Sequence, residues 1–516
     1  MTEIENVPLR AWIGFFGMVL GVFMAILDIQ IVASSLEQIQ AGLAATRDEI
    51  TWVQTAYLIA EVVVIPLSGW LNRALSTRYL FVSSCGGFTL TSLCCALAWN
   101  LPSMIAFRAL QGFFGGAMIP TVFAVIYTLF PPRQQATMVI VVGLVVTVAP
   151  TAGPVLGGYL TEVLSWKALF LVNLLPGVLA CLSTWFLVEV DQPEWTLLKR
   201  VDFPGILYIC VFLGSLQFVL EEGIREEWFD SREIVFFSAV AVMAGGAMFY
   251  RELRIEEPIV DLWAFRNTNF AVGCLFSFII GIGLYTLIAL TPIYLSTVKG
   301  LNSLQIGQYL MVTGMFQFAS AFVAGPLAKR MDSRLMLALG LSLFGLGSWL
   351  NGSLNHDSGY WEFFGPQALR GFALMFAFLP INSLALGTLP PEEVKNASGL
   401  YNLTRNLGGA IGIAVANTLM IRWDKAHYAA LRDSVTPGSP QADALLTRLE
   451  AQAALLRVSD PADAALKQLY GLAMREAQIM TVNDLFHVLG LLFFASLLLM
   501  PLVRKVRQDA GDTGLH

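Results

Sequence analysis

Gly143 to Gly158 reads GLVVTVAPTAGPVLGG, an apolar stretch that holds Pro150, Gly153, Pro154, Gly157 and Gly158 within nine residues of one another. A lone helix in water would not tolerate that composition. Within a bilayer it is allowed, because neighbouring helices and side chains satisfy the backbone groups that proline frees. Ala149, Gly153 and Gly157 fall four residues apart, so one helix face is almost bare and can approach a neighbouring backbone closely. The two prolines predict a bend at this point. The surrounding chain agrees: it has 516 residues, 56% hydrophobic and 13% charged, with a mean hydropathy of +0.67. A soluble domain carries about 25% charged residues. The fold class is an all-α polytopic membrane protein.

At about 20 apolar residues per span, the sequence divides into fourteen segments. They lie near 12–34, 50–71, 79–98, 103–129, 137–160, 167–189, 203–221, 233–250, 269–295, 304–328, 333–353, 362–387, 399–422 and 485–503. An even number places both termini on one side, and basic residues mark which. Arg10, Arg73, Arg78, Arg133, Lys199, Arg200, Arg251, Arg254, Arg266, Lys329, Arg330, Arg334, Lys395, Arg504, Lys505 and Arg507 fall on the side of the termini. The short opposite loops hold only Arg47, Lys167, Arg225, Arg232 and Lys299. Both termini are therefore predicted cytoplasmic. Net charge is −6, which says less than this asymmetry. The first apolar run, from Trp12, has no small-residue cleavage site before Asp28 and reads as a retained span. Cys85, Cys94, Cys95, Cys181, Cys210 and Cys274 all lie in apolar segments and read as packing residues.

A repeat relates the two ends of the chain. Gly69-Trp-Leu-Asn-Arg73, with Arg78 nine residues after its glycine, closes span 2; Gly325-Pro-Leu-Ala-Lys329-Arg330, with Arg334 at the same distance, closes span 10. Two spans later in each copy an arginine lies inside the membrane, Arg108 and Arg370. Fourteen spans then divide as 6+2+6, with parallel-related halves. The boundaries are a tail (1–11), a first bundle (12–189), two inserted spans with their loops (190–268), a second bundle (269–503) and a tail (504–516). The one long hydrophilic stretch, 424–484, falls outside. Its Leu-rich pieces are separated by Ser459-Asp460-Pro461, where Asp460 caps a helix begun by Pro461, so it reads as a helical hairpin.

Ionisable residues inside spans are functional candidates by default. They are Asp28, Glu61, Arg108, Arg370 and Arg405. At 1.5 Å per residue, Asp28 and Arg108 reach a similar depth, and a permanent ion pair between them is the structural alternative to proton coupling. Glu61, near the middle of span 2, could bind and release a proton if no cation stands close, or simply hydrogen-bond a neighbouring span. Arg370 and Arg405 lie beside Gly or Asn residues suited to helix contacts, which favours structural roles.

The same positions carry a family resemblance. The stretch around Pro150, Gly153, Pro154, Gly157 and Gly158 resembles the fifth-span motif of antiporters in the major facilitator superfamily. Leu27-Asp28 resembles the acidic first-span motif, Gly69 with Arg73 and Arg78 the loop motif between spans 2 and 3, and Arg108 to Gln111 and Gly112 the fourth-span arginine motif. Trp166 to Gly177, with Phe170, Asn173 and Pro176, resembles the start of span 6. Asn396 to Gly409, including Asn402, Arg405 and Asn406, is similar to the thirteenth-span signature of the fourteen-span drug:proton antiporters of the EmrB/QacA type. Where the superfamily places an Asp in its loop motif, this chain has Arg73, so a latch through that acid cannot be carried over.

The resemblance implies a proton-coupled exporter of hydrophobic or amphipathic compounds in the bacterial inner membrane, needing no cofactor beyond the proton gradient. It also implies an EmrA-like periplasmic adaptor and a TolC-like outer-membrane channel as partners. Met24, Tyr57, Tyr285, Tyr294, Met315 and Phe316 are candidate cavity lining, each also explicable as packing. Export of one natural metabolite, such as a siderophore or an aromatic acid, and a non-transporting sensor are the alternatives. ATP-driven transport would need a GxxxxGK[ST] loop, and no Gly-Lys dipeptide occurs. His356, His427, His487 and His516 form no metal-ligand spacing, and no nucleophile motif marks an enzyme.

Overall fold

A computed structural model describes residues 7–255, 257–328, 330–434, 440–456 and 460–504. Lys329, Ser459, Lys505, Arg507 and most of both tails lie outside the described residues. The elements are α1 (Leu9–Ser34), α2 (Leu36–Leu43), α3 (Arg47–Ile50), α4 (Trp52–Leu75), α5 (Thr77–Ala96), α6 (Leu101–Gly115), α7 (Met118–Leu129), α8 (Pro132–Val163), α9 (Ala168–Leu171) and α10 (Leu174–Leu187). They continue as α11 (Phe203–Glu222), α12 (Arg232–Glu252), α13 (Thr268–Thr297), α14 (Ser303–Ala328), α15 (Ser333–Leu350), α16 (Tyr360–Ala385), α17 (Pro391–Ser434), α18 (Pro440–Leu455) and α19 (Pro461–Ser496). No strand occurs among the described residues.

Thirteen helical stretches among these residues are long and apolar enough to cross a membrane. Segment 399–422 is not one of them. It lies within α17, where Asn402, Arg405 and Asn406 lower the apolar content; Asn402 and Arg405 are nevertheless buried. Two other segments differ from the unbroken spans read from sequence. The fourth is broken between α6 and α7, because Pro120 has no N–H to donate to the Gly116 carbonyl. The sixth is broken at Val172-Asn173, where Pro176 likewise cannot pair with Val172. By contrast α8 runs unbroken through Pro150 and Pro154.

α1 packs on α8 and α10, α4 on α6, and α5 on α6 and α10; α13 packs on α17, α14 on α16, and α15 on α16 and α19. Crossings of α4 with α17 and of α8 with α14 join these groups. The α1–α8 contact uses the bare face: a Cβ on Gly153 would lie 2.4 Å from the Gln30 Cβ, and one on Gly157 would lie 2.7 Å from the Ser34 hydroxyl. Helices α11 and α12 pack on each other and, through α11, on α4. Only 22% of the α12 span is buried against 83% of α16, so α12 is peripheral and leaves apolar side chains such as Phe236 and Val242 exposed. Arg251 ties the two together by donating from Nε (2.8 Å) and Nη2 (2.6 Å) to Asp202, the residue just before α11. Those hydrogen bonds hold the Asp202 carboxyl below its ordinary range.

The described residues of the long hydrophilic stretch 424–484 are largely helical. Asp460 accepts from the Asp463 N–H at 3.1 Å and Pro461 opens the helix. The second arm does not stop before the last span, however: α19 is continuous over 36 residues. Tyr428 packs edge-on against Tyr470 at 5.4 Å, and His427 meets Asp484 at 2.9 Å, so the base of the hairpin is fixed to α17.

Candidate functional site

Asp28 and Arg108 meet at 2.6 Å with both side chains fully buried. Four helices and the break between α9 and α10 contribute. Asp28 on α1 accepts from Arg108 Nη1, from Gln111 Nε2 (3.2 Å) and from Asn173 Nδ2 (2.7 Å). Gln111, one turn after Arg108 on α6, also accepts from Arg108 Nη1 and donates to Ser92 of α5 at 2.6 Å. Arg108 Nε donates to the Val53 carbonyl at 3.1 Å, and its guanidinium lies 4.2 Å from the Tyr57 ring centroid. This is possible because Gly112 brings α6 onto α4: a Cβ there would lie 2.2 Å from the Tyr57 carbonyl oxygen. Charge balance and hydrogen bonding together keep a buried pair tolerable in an apolar interior.

Glu61, one turn beyond Tyr57 on the same face of α4, is buried. Among the described residues its carboxylate has no hydrogen-bond or ion-pair partner, yet it lies within electrostatic reach of Arg108, Asp28, Tyr57 and Tyr285. Across from it Tyr285 donates to Asn406 at 3.2 Å, and Arg405 donates to Asn402 at 2.6 Å. The Arg405 guanidinium stands 5.7 Å from both the Phe123 and Phe378 ring centroids. Arg370 belongs to a separate place, on α16 beside Phe486.

The remaining lining candidates scatter. Met24 is buried one turn before Asp28. Tyr294 donates to the Asn355 carbonyl in a loop, Phe316 packs edge-on against Phe364, and Met315 is exposed on α14. Sequence reasoning left Ser92, Asn173 and the Val53 carbonyl out of the site. Asn173 had a signal in its placement three residues before Pro176, since a break inside a span aims polar groups inward. Ser92 had none.

The loop motif is completed by an acid from elsewhere. Asp191, after α10, accepts from the Thr77 N–H at 3.0 Å, at the start of α5, and forms an ion pair with Lys395 near the start of α17. Gly69 lies directly against the Lys395–Asn396 backbone. Arg78 pairs with Glu189 at 3.3 Å, whereas Arg73 Nε is buried without a hydrogen-bond partner among the described residues.

Buried ionisable groups carried on apolar helices of this architecture define a membrane transporter, and the sequence profile described as Major Facilitator Superfamily matches residues 18–413. The chain belongs to that superfamily. Within it the chain is EmrB-like: it is 39% identical over 486 residues, covering 94% of this chain and 95% of the relative, to the colistin resistance protein EmrB of Acinetobacter baumannii. It is 30% identical over 436 residues, 84% of each chain, to the multidrug export protein EmrB of Escherichia coli K12. Among solved structures, the proton:xylose symporter XylE matches with a TM-score of 0.60 at 12% identity, over 97% of each chain. Human MFSD10 matches with a TM-score of 0.57 at 15% identity, over 94% of this chain and all (100%) of its own. At such identities the likeness is one of fold.

Proposed function

We propose that this protein is a proton-coupled exporter of hydrophobic or amphipathic toxic compounds across the bacterial inner membrane. Fourteen spans in a 6+2+6 arrangement, with both termini cytoplasmic, would rock residues 12–189 against 269–503 around a midplane cavity. Substrate chemistry of this kind is supported by relatives named for colistin resistance and multidrug export.

The carrying observation is the contrast between two buried carboxylates. Asp28 has a cation and two amide donors, so adding a proton there must break an ion pair. Glu61 has no such partner, so proton uptake breaks nothing and changes the buried net charge by one. Glu61 therefore carries the proton, and Asp28, Arg108, Gln111 and Asn173 hold the site that responds to it. Differential protonation of the two conformers is what shifts their populations.

Inverted vesicles with an imposed pH gradient and a lipophilic dye test this. The native protein accumulates dye in proportion to the gradient, and Glu61→Gln lowers that flux by at least about tenfold. Flux through Glu61→Gln that still follows the gradient would remove the coupling role.

A further inference from the structure

Arg108-Ala109-Leu110-Gln111-Gly112-Phe113 on α6 and Gln367-Ala368-Leu369-Arg370-Gly371-Phe372 on α16 are the same hexapeptide with Arg and Gln exchanged. The glycines fix the register: a Cβ on Gly112 would lie 2.2 Å from the Tyr57 carbonyl oxygen of α4, and one on Gly371 would lie 2.2 Å from the Thr313 carbonyl oxygen of α14. Arg370 thus occupies the place of Gln111, not of Arg108 as the sequence pairing above has it.

The exchange leaves its charge unanswered. Arg108 has Asp28, but Arg370, only 3% exposed, makes no ion pair and donates no hydrogen bond among the described residues, and its Nη1 is buried without a partner. The Phe486 ring lies 5.5 Å from its guanidinium. Beside it is a cavity of about 40 Å³ between α8, α13, α14, α15 and α16. The polar lining is Arg370, Gln367, Gln317, Thr313 and Thr291; Leu287 and Leu374 are part of the apolar wall, and no carboxylate lines it. Thr313 donates to Gln367 Oε1, which leaves Gln367 Nε2 also without a partner.

We propose that this cavity is a subsite for the carboxylate of an amphipathic organic acid. About three water-sized groups fit in the volume, enough for a carboxylate, with Leu287 and Leu374 beside it for the apolar part of such a molecule. An acid would supply the missing counter-charge, with one oxygen for Nη1 and one for Gln367 Nε2, in the charge-assisted geometry that arginine favours. A cationic headgroup would meet an unneutralised guanidinium and be excluded. The subsite deepens the exporter reading and rests on it for its role in transport.

Calorimetry on the full-length protein in lipid nanodiscs, without a pH gradient, tests binding apart from coupling. The probes are 2-naphthoate and its neutral counterpart 2-naphthylmethanol. The native protein binds the acid at least about tenfold more tightly than the alcohol. Arg370→Gln abolishes that preference without changing alcohol binding, and Arg370→Lys retains part of it. If Arg370→Gln does not fold, Gln367→Leu takes its place and must weaken naphthoate alone. Equal affinity for both probes in the native protein overturns the subsite, as does a preference that survives Arg370→Gln, or equal weakening of both probes by Gln367→Leu. Complete displacement of naphthoate by chloride, with alcohol binding unchanged, shows a site for small inorganic anions and overturns the organic-acid assignment. Loss of proton-driven flux with an Arg370-dependent preference intact would instead count against the exporter reading alone.

Discussion

At the scale of single residues, Asp28 and Arg108 depend on each other because neither side chain reaches solvent. Asp28→Asn keeps an acceptor for Gln111 and Asn173 but strands the guanidinium, and breaking a buried pair from one side costs about 3–5 kcal/mol. Thermal unfolding in detergent should show that loss in Asp28→Asn and a partial recovery in Asp28→Asn/Arg108→Gln, with gradient-driven export absent from both. A single variant as stable as the native protein would mean the pair contributes nothing to the fold. The candidate acids and arginines were legible because an ionisable residue in an apolar segment stands out by type alone. Their partners were not, since Ser92 and the Val53 carbonyl look like any other helix residue until α4, α5 and α6 are brought together. Arg370 shows the opposite limit. Its composition was visible, but its exchange with Gln367 becomes clear only when Gly112 and Gly371 fix the register.

Among the elements, α8 was the most readable because its signal is negative: Ala149, Gly153 and Gly157 are where side chains are missing, and α1 occupies that space. A leucine at Gly157 must displace the Ser34 and Ser35 hydroxyls, and overpacking of a tight contact costs about 1–3 kcal/mol or more. Leu156 is exposed, so it faces lipid and has little to lose. Transport assays at matched expression should therefore show Gly157→Leu nearly inactive and Leu156→Ala close to native. Similar activity in both would remove the close-packing argument for the α1–α8 contact. Element boundaries were less legible. Pro120 and Pro176 break their segments, whereas Pro150 and Pro154 do not; the difference lies in what surrounds each proline, which single-chain patterning does not encode. The run from Pro461 into the last span was likewise hidden, because its polarity changes along a helix that never stops.

Over the whole molecule, the contacts that join the two bundles are the ones that alternating access must make and break. Asp191–Lys395 sits at the α4–α17 crossing and supplies the acid that Arg73 lacks. An ion pair of this partial exposure is worth ~0.5–1 kcal/mol, so Asp191→Asn should raise the labelling rate of a cysteine placed at Ser398 about two- to fivefold, and the charge-swapped pair Asp191→Lys/Lys395→Asp should bring it back. Unchanged labelling in Asp191→Asn would leave the pair without a gating role. The hairpin raises the larger question of partners. Its base is pinned by Tyr428–Tyr470 and His427–Asp484, while Leu455, Leu456 and Leu466 are exposed toward its tip. A loop that merely covered the transporter would turn those leucines inward, so exposed leucines above a base pinned to α17 suit the proposed docking to an EmrA-like periplasmic adaptor that leads to a TolC-like channel. Because Ala477 and Ile479 are buried, the test must spare that part of α19 and replace only residues 440–468 with a short Gly/Ser linker. Docking predicts that the shortened protein still moves dye in isolated vesicles, fails to retain the adaptor in pull-downs, and no longer protects cells. If it retains the adaptor and protects cells as the intact protein does, the hairpin is not the docking surface.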